Sequence, residues 1–324
     1  MGVDNRTFMS REEYAPVAVF AYNRADKLEN CIKYLEKCPE AAESELFIFC
    51  DGPKGDKDRE NVEMVQAFAK EYAYSPGFKN VNVIAAAMNK GLAASIIGGV
   101  TDVVNKYGHV IVVEDDLVVE SSFLAYMNGA LEYYRDDKKC GSVCAFSYPL
   151  KELKSYDKDV YFTRKADCWG WATWADRWND AKWADTDFER YLNDRKLRRE
   201  FEGLEAGLDR LMYLQNKGKI DSWAVRWIYY LFQKGQLSVY PTKSRVINDG
   251  FDGSGTHISN GFGEGFNSAV ISDTADPPTT VDSTKITWEK CELCEELAQK
   301  SAKFPRRFLP MYILETARYM LKKR

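Results

Sequence analysis

The stretch of sequence that decides the fold is 109–116, His-Val-Ile-Val-Val-Glu-Asp-Asp, in which an apolar run ends in three acidic residues. The β-branched run 110–113 is typical of a strand buried on both faces of a parallel sheet. Glu114, Asp115 and Asp116 then lie at the carboxyl end of that strand, where open α/β sheets bind ligands. Because neighbouring carboxylates repel one another, they require a cation or several hydrogen-bond donors. The stretch therefore predicts a divalent metal ion and a phosphorylated ligand at this edge.

Three further apolar runs precede this strand, and each ends in polar or turn-forming residues. The runs are Pro16–Tyr22, Leu46–Cys50 and Val81–Ala87, followed by Asn23-Arg24, Asp51-Gly52-Pro53 and Asn89-Lys90-Gly91. Helical patterns fill the intervals, from near Asp26, over Arg59–Tyr72 and over Leu92–Tyr107. Strands that alternate with helices of this length indicate right-handed crossover units and a parallel sheet. We therefore expect an α/β fold.

The character of the chain changes near Pro149. Before it, Ser121–Arg135 reads as a helix and Gly141–Phe146 as a strand; after it, aromatic residues become dense, with helical patterns around Phe201–Asn216 and Asp221–Lys234. Residues 248–267 are rich in Gly, Ser and Asn, which predicts a mobile loop. We expect three parts: a first half (1–150) that carries the predicted ligand edge, an aromatic-rich second half (151–275) and a helical C-terminal tail (276–324).

Composition excludes several classes of protein. The 324 residues carry a formal net charge of −4, so a nucleic-acid backbone is not an expected partner. No apolar stretch has the length of a membrane-spanning helix, and the N-terminus lacks the apolar core of a signal peptide. The eight cysteines show no disulfide-scaffold density, and Cys291-x-x-Cys294 is half a zinc motif in a chain with two histidines. These features predict a reducing cytoplasmic location.

The C-terminal sequence 303–324, KFPRRFLPMYILETARYMLKKR, leaves two alternatives open. Its apolar residues and flanking basic residues are typical of a helix that lies on an anionic membrane surface. The same pattern also describes a helix packed on the body of the protein with a solvated basic end.

Taken in order, Ala21-Tyr22-Asn23-Arg24, Asp51-Gly52, Asn89-Lys90-Gly91 and Glu114-Asp115-Asp116 resemble the motifs of GT-A nucleotide-sugar glycosyltransferases. The chain is similar to family 2-like bacterial enzymes and to the N-acetylglucosaminyltransferase I type, which carries Glu-Asp-Asp in place of Asp-x-Asp. The resemblance covers the first half and returns more weakly through 168–257. It implies a Rossmann-like, mostly parallel sheet flanked by helices, an aromatic-rich acceptor subdomain and a C-terminal helical tail.

For the donor, the resemblance implies that Ala21, Tyr22 and Arg24 wrap the nucleobase and ribose, with Arg24 near phosphate. Asp51 would accept the N3–H of uracil, and Lys90 would meet the diphosphate or the ribose pocket. Alternatively, residues 21–24 form an ordinary strand-to-helix turn, Asp51 is a turn aspartate and Lys90 is a solvated loop lysine.

For the metal, the resemblance implies that Asp116 contacts the ion directly, while Glu114 and Asp115 contact ribose and order water. Mg²⁺ or Mn²⁺ suits oxygen ligands completed by substrate phosphates, and the ion would act as a Lewis acid on the leaving diphosphate. In the loop Gly250–His257, His257 would complete the metal shell. Ser254 and Thr256 would reach the phosphate or the metal. The alternatives are an acidic cap of the helix near Ser121 and a solvent-exposed loop histidine.

For the acceptor, the resemblance points to the indoles of Trp169 and Trp171 in Cys168–Trp174, with Trp174 structural. Inversion requires a general base, and Asp221 is the candidate, because Ser222 stands where the related enzyme has its base. Asp167 and Asp176 are the substitutes, and an N-cap role for Asp221 is the alternative.

The resemblance thus implies metal-dependent transfer of a hexosyl or N-acetylhexosaminyl group from a UDP-sugar to a saccharide or lipid-linked acceptor. The expected setting is surface polysaccharide synthesis, in the cytoplasm or at the inner face of the membrane. One rival is a catalytically silent carbohydrate-binding protein. Another is a sugar-nucleotide nucleotidyltransferase, which carries a glycine-rich phosphate loop where this chain has Ala21–Asp26.

Overall fold

The first half of the chain alternates strands and helices as the sequence predicts. A computed structural model describes residues 14–184, 187–250 and 286–303. The strands are β1 (Val17–Ala21), β2 (Glu45–Cys50), β3 (Asn80–Ala85) and β4 (His109–Glu114), and the intervening helices are α1 (Ala25–Leu35), α2 (Asp56–Tyr72) and α3 (Leu92–Tyr107). All four strands are parallel, in the order β3-β2-β1-β4.

The strands after β4 extend the same sheet or pair separately from it. They are β5 (Leu117–Val119), β6 (Cys140–Cys144), β7 (Val160–Thr163), β8 (Trp171–Trp174), β9 (Leu237–Pro241) and β10 (Val246–Asn248). The large sheet has eight strands in the order β3-β2-β1-β4-β8-β6-β9-β7, and β10 pairs separately with β5. Only β8 and β7 run against the other six strands. The expected α/β class with a mostly parallel sheet is confirmed, and β6, from residues 1–150, pairs with strands of the second half.

The remaining helices pack on the sheet or on another helix. They are α4 (Phe123–Tyr133), α5 (Ala175–Asn179), α6 (Phe188–Asn193), α7 (Arg195–Glu202), α8 (Leu208–Asn216), α9 (Trp223–Lys234) and α10 (Glu295–Lys303). Of these, α6 to α8 pack on α9. The helical pattern predicted over 201–216 is two helices, because the chain turns at Gly203–Gly207, where Gly207 has a φ of 98°. Within the three described ranges, no helix is both long and apolar enough to cross a membrane.

Two hydrophobic clusters lie on opposite faces of the sheet. One packs α1, α2 and α4 against the strands, and the other packs α3 and α9 around Trp171, Trp178 and Trp227. Helix α3 packs closely against β1 at Gly99, where an added Cβ would lie 2.9 Å from the ring of Phe20. This packing fixes the strands in register, so their carboxyl ends form one edge.

Candidate functional site

The four predicted motifs meet at the carboxyl edge of the parallel strands. Residue Ala21 pairs with Cys50, Cys50 with Ala85, and Phe20 with Glu114. The hydrogen bonds continue past the strand ends, since the N–H of Asp51 donates to the carbonyl of Ala21 at 3.0 Å. The residues that follow each strand are therefore neighbours, as the sequence predicted.

The carboxylate of Asp51 is fully occupied by donors of its own chain. Its Oδ1 accepts from the backbone N–H groups of Gly52 and Lys90, both at 2.8 Å. Its Oδ2 accepts from the N–H of Gly91 at 2.9 Å and from Asn89 Nδ2 at 3.0 Å. A carboxylate has about four acceptor positions. In this structure Asp51 ties the end of β2 to the start of α3, and its position differs from one in which it accepts a hydrogen bond from uracil.

The loop before α3 interlocks with the Asp51 turn. An added Cβ at Gly52 would lie 2.4 Å from the carbonyl carbon of Met88, so only glycine permits this approach. Asn89 also donates to the carbonyl of Gly52 at 3.0 Å, and Gln66 donates to that of Ala86 at 3.1 Å. The side chain of Lys90 is exposed beside this loop. These contacts hold the loop in place at the carboxyl edge of the sheet.

Two of the three acids, Asp115 and Asp116, share a single guanidinium. Arg24 Nη2 donates to Asp115 Oδ1 and, at 2.9 Å, to Asp116 Oδ2. The side chains of Arg24, Asp115 and Asp116 are only 16%, 5% and 15% exposed. Arg24 Nη1 and Asp115 Oδ2 are buried without a hydrogen-bond partner among the residues that the structure describes. Such atoms are costly to leave unpaired, so they mark a place for a polar ligand.

Burial makes the triplet electrostatically unfavourable. Desolvation, together with the charges of Asp116 and Asp115 and against the opposing charge of Arg24, raises the pKa of Glu114 to about 8. Desolvation also raises the pKa of Asp115 to about 6, although Arg24 opposes this change. A divalent cation would remove this repulsion.

The donor set fits an ion that brings most of its own ligands. Across 14–184, 187–250 and 286–303, no group of three or more His, Cys, Asp or Glu side chains forms a ready-made metal cage. Mg²⁺ and Mn²⁺ are commonly held by one or two carboxylates together with substrate phosphates and water. The oxygens of Asp116 and Asp115 fit this requirement. Strand β5 separates the triplet from α4, whose N-cap is Ser122, so these acids do not cap that helix.

A second segment closes over Asp116. The β5–β10 ribbon brings the N–H of Asp249 to the carbonyl of Asp116 at 2.7 Å, and Lys27 Nζ holds the Asp249 carboxylate at 2.9 Å. An added Cβ at Gly250 would lie 2.3 Å from Asp116 Oδ2. Glycine is therefore required at this position for the carboxylate to keep its place. The predicted metal ligand His257, with Ser254 and Thr256, lies outside the described residues.

The side chain of Tyr22 points along the edge toward α2. Its hydroxyl donates to Asp58, and Lys54 Nζ lies 4.8 Å from the centre of its ring. Asp58 also accepts from the N–H of Gly55 at 2.9 Å, so it holds the start of α2 as well as the tyrosine. These contacts hold the tyrosine ring at the carboxyl edge, next to the Asp51 turn.

The two tryptophans predicted for the acceptor lie in different environments. Trp171 is fully buried in β8, and its ring stacks on Trp223 at 4.9 Å and on Trp178 at 5.5 Å. This core position differs from the predicted one, because a strand with both faces covered leaves no indole face for a sugar. Trp169 is half-buried and meets Phe146 edge-to-face at 5.0 Å. Trp174 is structural, as predicted: its Nε1 donates to the carbonyl of Leu131 at 3.0 Å.

The three candidate bases also lie in different environments. The side chain of Asp221 is 60% exposed and pairs with Arg226 at 2.9 Å, while Ser222, not Asp221, caps α9. Asp176 follows Trp174, which pairs with His109 at the amino end of β4, so Asp176 lies at the opposite edge. Of these three candidates, only Asp167 has a mostly buried side chain, 13% exposed, at the carboxyl edge.

Sequence reasoning missed a polar cluster around Asp167. Lys165 Nζ donates to Glu205 and to the hydroxyl of Tyr148, and it lies 3.9 Å from Asp167 Oδ2. Lys165 and Glu205 are 40 residues apart and belong to no motif. No local signal in the sequence brings them together; the crossing of 164–170 over the sheet does so.

The sequence matches no family model and no curated protein. Among solved structures, the chain is similar to an active-site mutant of LgtC, with a TM-score of 0.37 and 13% identity over 69% of this chain and 72% of that one. It is also similar to GalNAc-T7, solved with UDP, GalNAc and Mn²⁺, with a TM-score of 0.43 and 11% identity over 74% of this chain. The chain spans 44% of the length of GalNAc-T7.

Proposed function

We propose that this protein is a metal-dependent glycosyltransferase that moves a sugar from a UDP-sugar to a saccharide acceptor with inversion. One observation carries the proposal: Arg24, Asp115 and Asp116 form a buried, incompletely bonded charge cluster at the carboxyl edge of a parallel sheet. Such an edge is where α/β proteins bind nucleotides. The motif resemblance to GT-A enzymes supplies the reaction class.

Each residue of the cluster has a distinct role in donor binding. Asp116, with Asp115 beside it, would hold Mn²⁺ or Mg²⁺, which when bound neutralises charge on the leaving diphosphate. Glu114 would order water or contact ribose. Arg24 now neutralises two carboxylates, and with an ion present its guanidinium is available to phosphate oxygens. Gly250 leaves room for the Asp116 carboxylate.

The nucleoside end of the site would be built by the neighbouring strand ends. Ala21 and Tyr22 would contact the base and ribose, with Lys90 at the rim. We assign Asp51 to the support of the loop Asn89–Gly91 rather than to direct contact with uracil, because its four acceptor positions are filled. The preference for uridine thus rests on the motif resemblance.

The acceptor would approach from the side of Trp169. A half-buried indole can stack on the C–H face of a sugar, whereas Trp171 is part of the core. The transferred group would be a hexosyl or N-acetylhexosaminyl residue. A lipid-linked acceptor in surface polysaccharide synthesis, and peripheral contact of a cytoplasmic enzyme with the membrane, are proposed from the resemblance and from the basic sequence 303–324.

Calorimetry with UDP in the presence and absence of Mn²⁺ tests the donor site. We expect binding that depends on the metal and is lost in Asp116→Ala but not in Asp56→Ala, whose side chain is 98% exposed. A screen of common UDP-sugars with Mn²⁺ and a mixture of saccharide acceptors should then show UDP release with one donor. UDP binding that is absent or independent of metal would instead favour the silent carbohydrate-binding protein.

A further inference from the structure

A second charge cluster, whose charged members are half-buried, has no role in the donor binding proposed above. Its members are Lys165, Glu205, Tyr148 and Asp167, and the exposed fractions of the Lys165 and Asp167 side chains are 12% and 13%. Lys165 Nζ lies between two carboxylates and a phenol, bonded to Glu205 and Tyr148 and 3.9 Å from Asp167 Oδ2. A charged cluster of this kind is costly to bury, which makes it a candidate functional site.

The strand order places Asp167 at the carboxyl edge. In β8, Trp171 pairs with Val112 of β4 and with Cys144 of β6, so the residues just before Trp171 lie level with the end of β4. The N–H of Asp167 donates to Cys144 Sγ at 3.3 Å. Asp167 therefore lies at the same edge of the sheet as the acid triplet that follows β4.

The surroundings of Asp167 suit a general base. Oδ1 accepts the N–H of Trp169 at 3.0 Å, which fixes the carboxylate, while Oδ2 lies beyond hydrogen-bond distance of Lys165. Burial raises the pKa of Asp167 and so makes the carboxylate more basic, while the charge of Lys165 favours its ionised form. Asp221, by contrast, is exposed and paired with Arg226.

We propose that Asp167 is the catalytic base for the acceptor hydroxyl, an assignment that rests on the proposed glycosyl transfer. The hydroxyl oxygen forms a bond to C1 of the donor sugar as the bond from C1 to the diphosphate oxygen breaks. The bonding electron pair leaves with UDP, and the hydroxyl proton passes to Asp167 Oδ2. Lys165 positions the carboxylate and keeps it ionised before the transfer.

A matched pair of variants tests the assignment, once a donor and an acceptor are known from the screen. Asp167→Asn keeps an oxygen for the N–H of Trp169 but removes the base, and Asp221→Asn is the same change at the exposed candidate. We expect kcat to fall by about 10²–10⁴-fold in the first variant and by less than about threefold in the second. The affinity for UDP with Mn²⁺ should be unchanged in both.

The outcomes are distinguishable. A large loss in Asp221→Asn with an active Asp167→Asn would overturn the assignment and restore Asp221. Asp167→Glu, which retains a carboxylate, should keep at least about tenfold more activity than Asp167→Asn, and equal activity of the two would also contradict it. Failure of the unaltered protein to bind UDP with Mn²⁺ would refute the proposed function instead, through a measurement that does not involve Asp167.

Discussion

Two sets of carboxylates at the same edge of the sheet have opposite environments. Asp51 follows β2 and accepts four hydrogen bonds, three of them from backbone N–H groups. Asp115 and Asp116 follow β4 and share one guanidinium, with Asp115 Oδ2 left unpartnered among the described residues. Both sets read alike in the sequence, as acids at the end of an apolar strand. The number of donors that the chain supplies distinguishes an anchor from a ligand site.

The difference has an energetic basis. The N–H groups at the start of α3 surround Asp51, and a helix N-terminus favours an anion. The triplet has no such set of donors, and desolvation raises the pKa values of Glu114 and Asp115. In the proposed function, an external cation would complete it.

Removal of the Asp116 carboxylate, the proposed metal ligand, should have the largest effect. We expect Asp116→Ala to lower the rate of glycosyl transfer by roughly 10³-fold, because charge on the leaving diphosphate is no longer neutralised. The free energy of unfolding should change by less than about 0.5 kcal/mol, since the lost contact with Arg24 is offset by weaker repulsion. Steady-state kinetics and urea denaturation measure the two effects. A variant with near-normal turnover would remove Asp116 from the metal site.

The same change at Asp51 should instead lower the free energy of unfolding. Asp51→Ala leaves the N–H groups of Gly52, Lys90 and Gly91 without their acceptor. We expect the free energy of unfolding to fall by about 3 kcal/mol, the scale of losing hydrogen bonds to a charged group and leaving their donors unpaired. Urea denaturation without metal or nucleotide measures it. Unchanged stability combined with lost UDP binding would show that Asp51 contacts the base after all.

Gly250 tests whether the space around Asp116 matters as much as its charge. An alanine Cβ would lie 2.3 Å from Asp116 Oδ2, so the carboxylate must shift. We expect Gly250→Ala to weaken the binding of UDP with Mn²⁺ by about tenfold, with little change in stability. Gly98→Ala in α3 is the control, because nothing lies within 4 Å of an added Cβ there. Equal affinity of the two variants would contradict the prediction.

Much of this edge follows from sequence because buried parallel strands are continuous apolar runs. The four strands and three helices of the first half were predicted in order, and α3 has the predicted bounds Leu92–Tyr107. The donor count at Asp51 could not be predicted, since it depends on a loop in which Gly91 has a φ of 82°. Trp171 was assigned to a sugar because its motif gives no sign that α9 covers it. The cluster of Lys165 and Glu205 forms only through long-range packing.

The smallest expected effect is a pH dependence confined to the triplet. Glu114 has a pKa of about 8 in the folded protein and an ordinary value of 4.5. Between these values the unfolded chain binds fewer protons, so the metal-free protein loses stability as the pH rises, by at most about 1.4 kcal/mol per pH unit. Glu114→Gln cannot ionise, so its stability relative to the unaltered protein should rise steadily between pH 5 and pH 8. Asp115, with a pKa near 6, keeps part of the slope in both proteins. Glu132→Gln in α4, where the side chain is 59% exposed, is the control and should leave the slope unchanged. Parallel stability curves for Glu114→Gln and the unaltered protein would mean that the chain already compensates the triplet, as it does Asp51, and the contrast between the two sets of acids would fail.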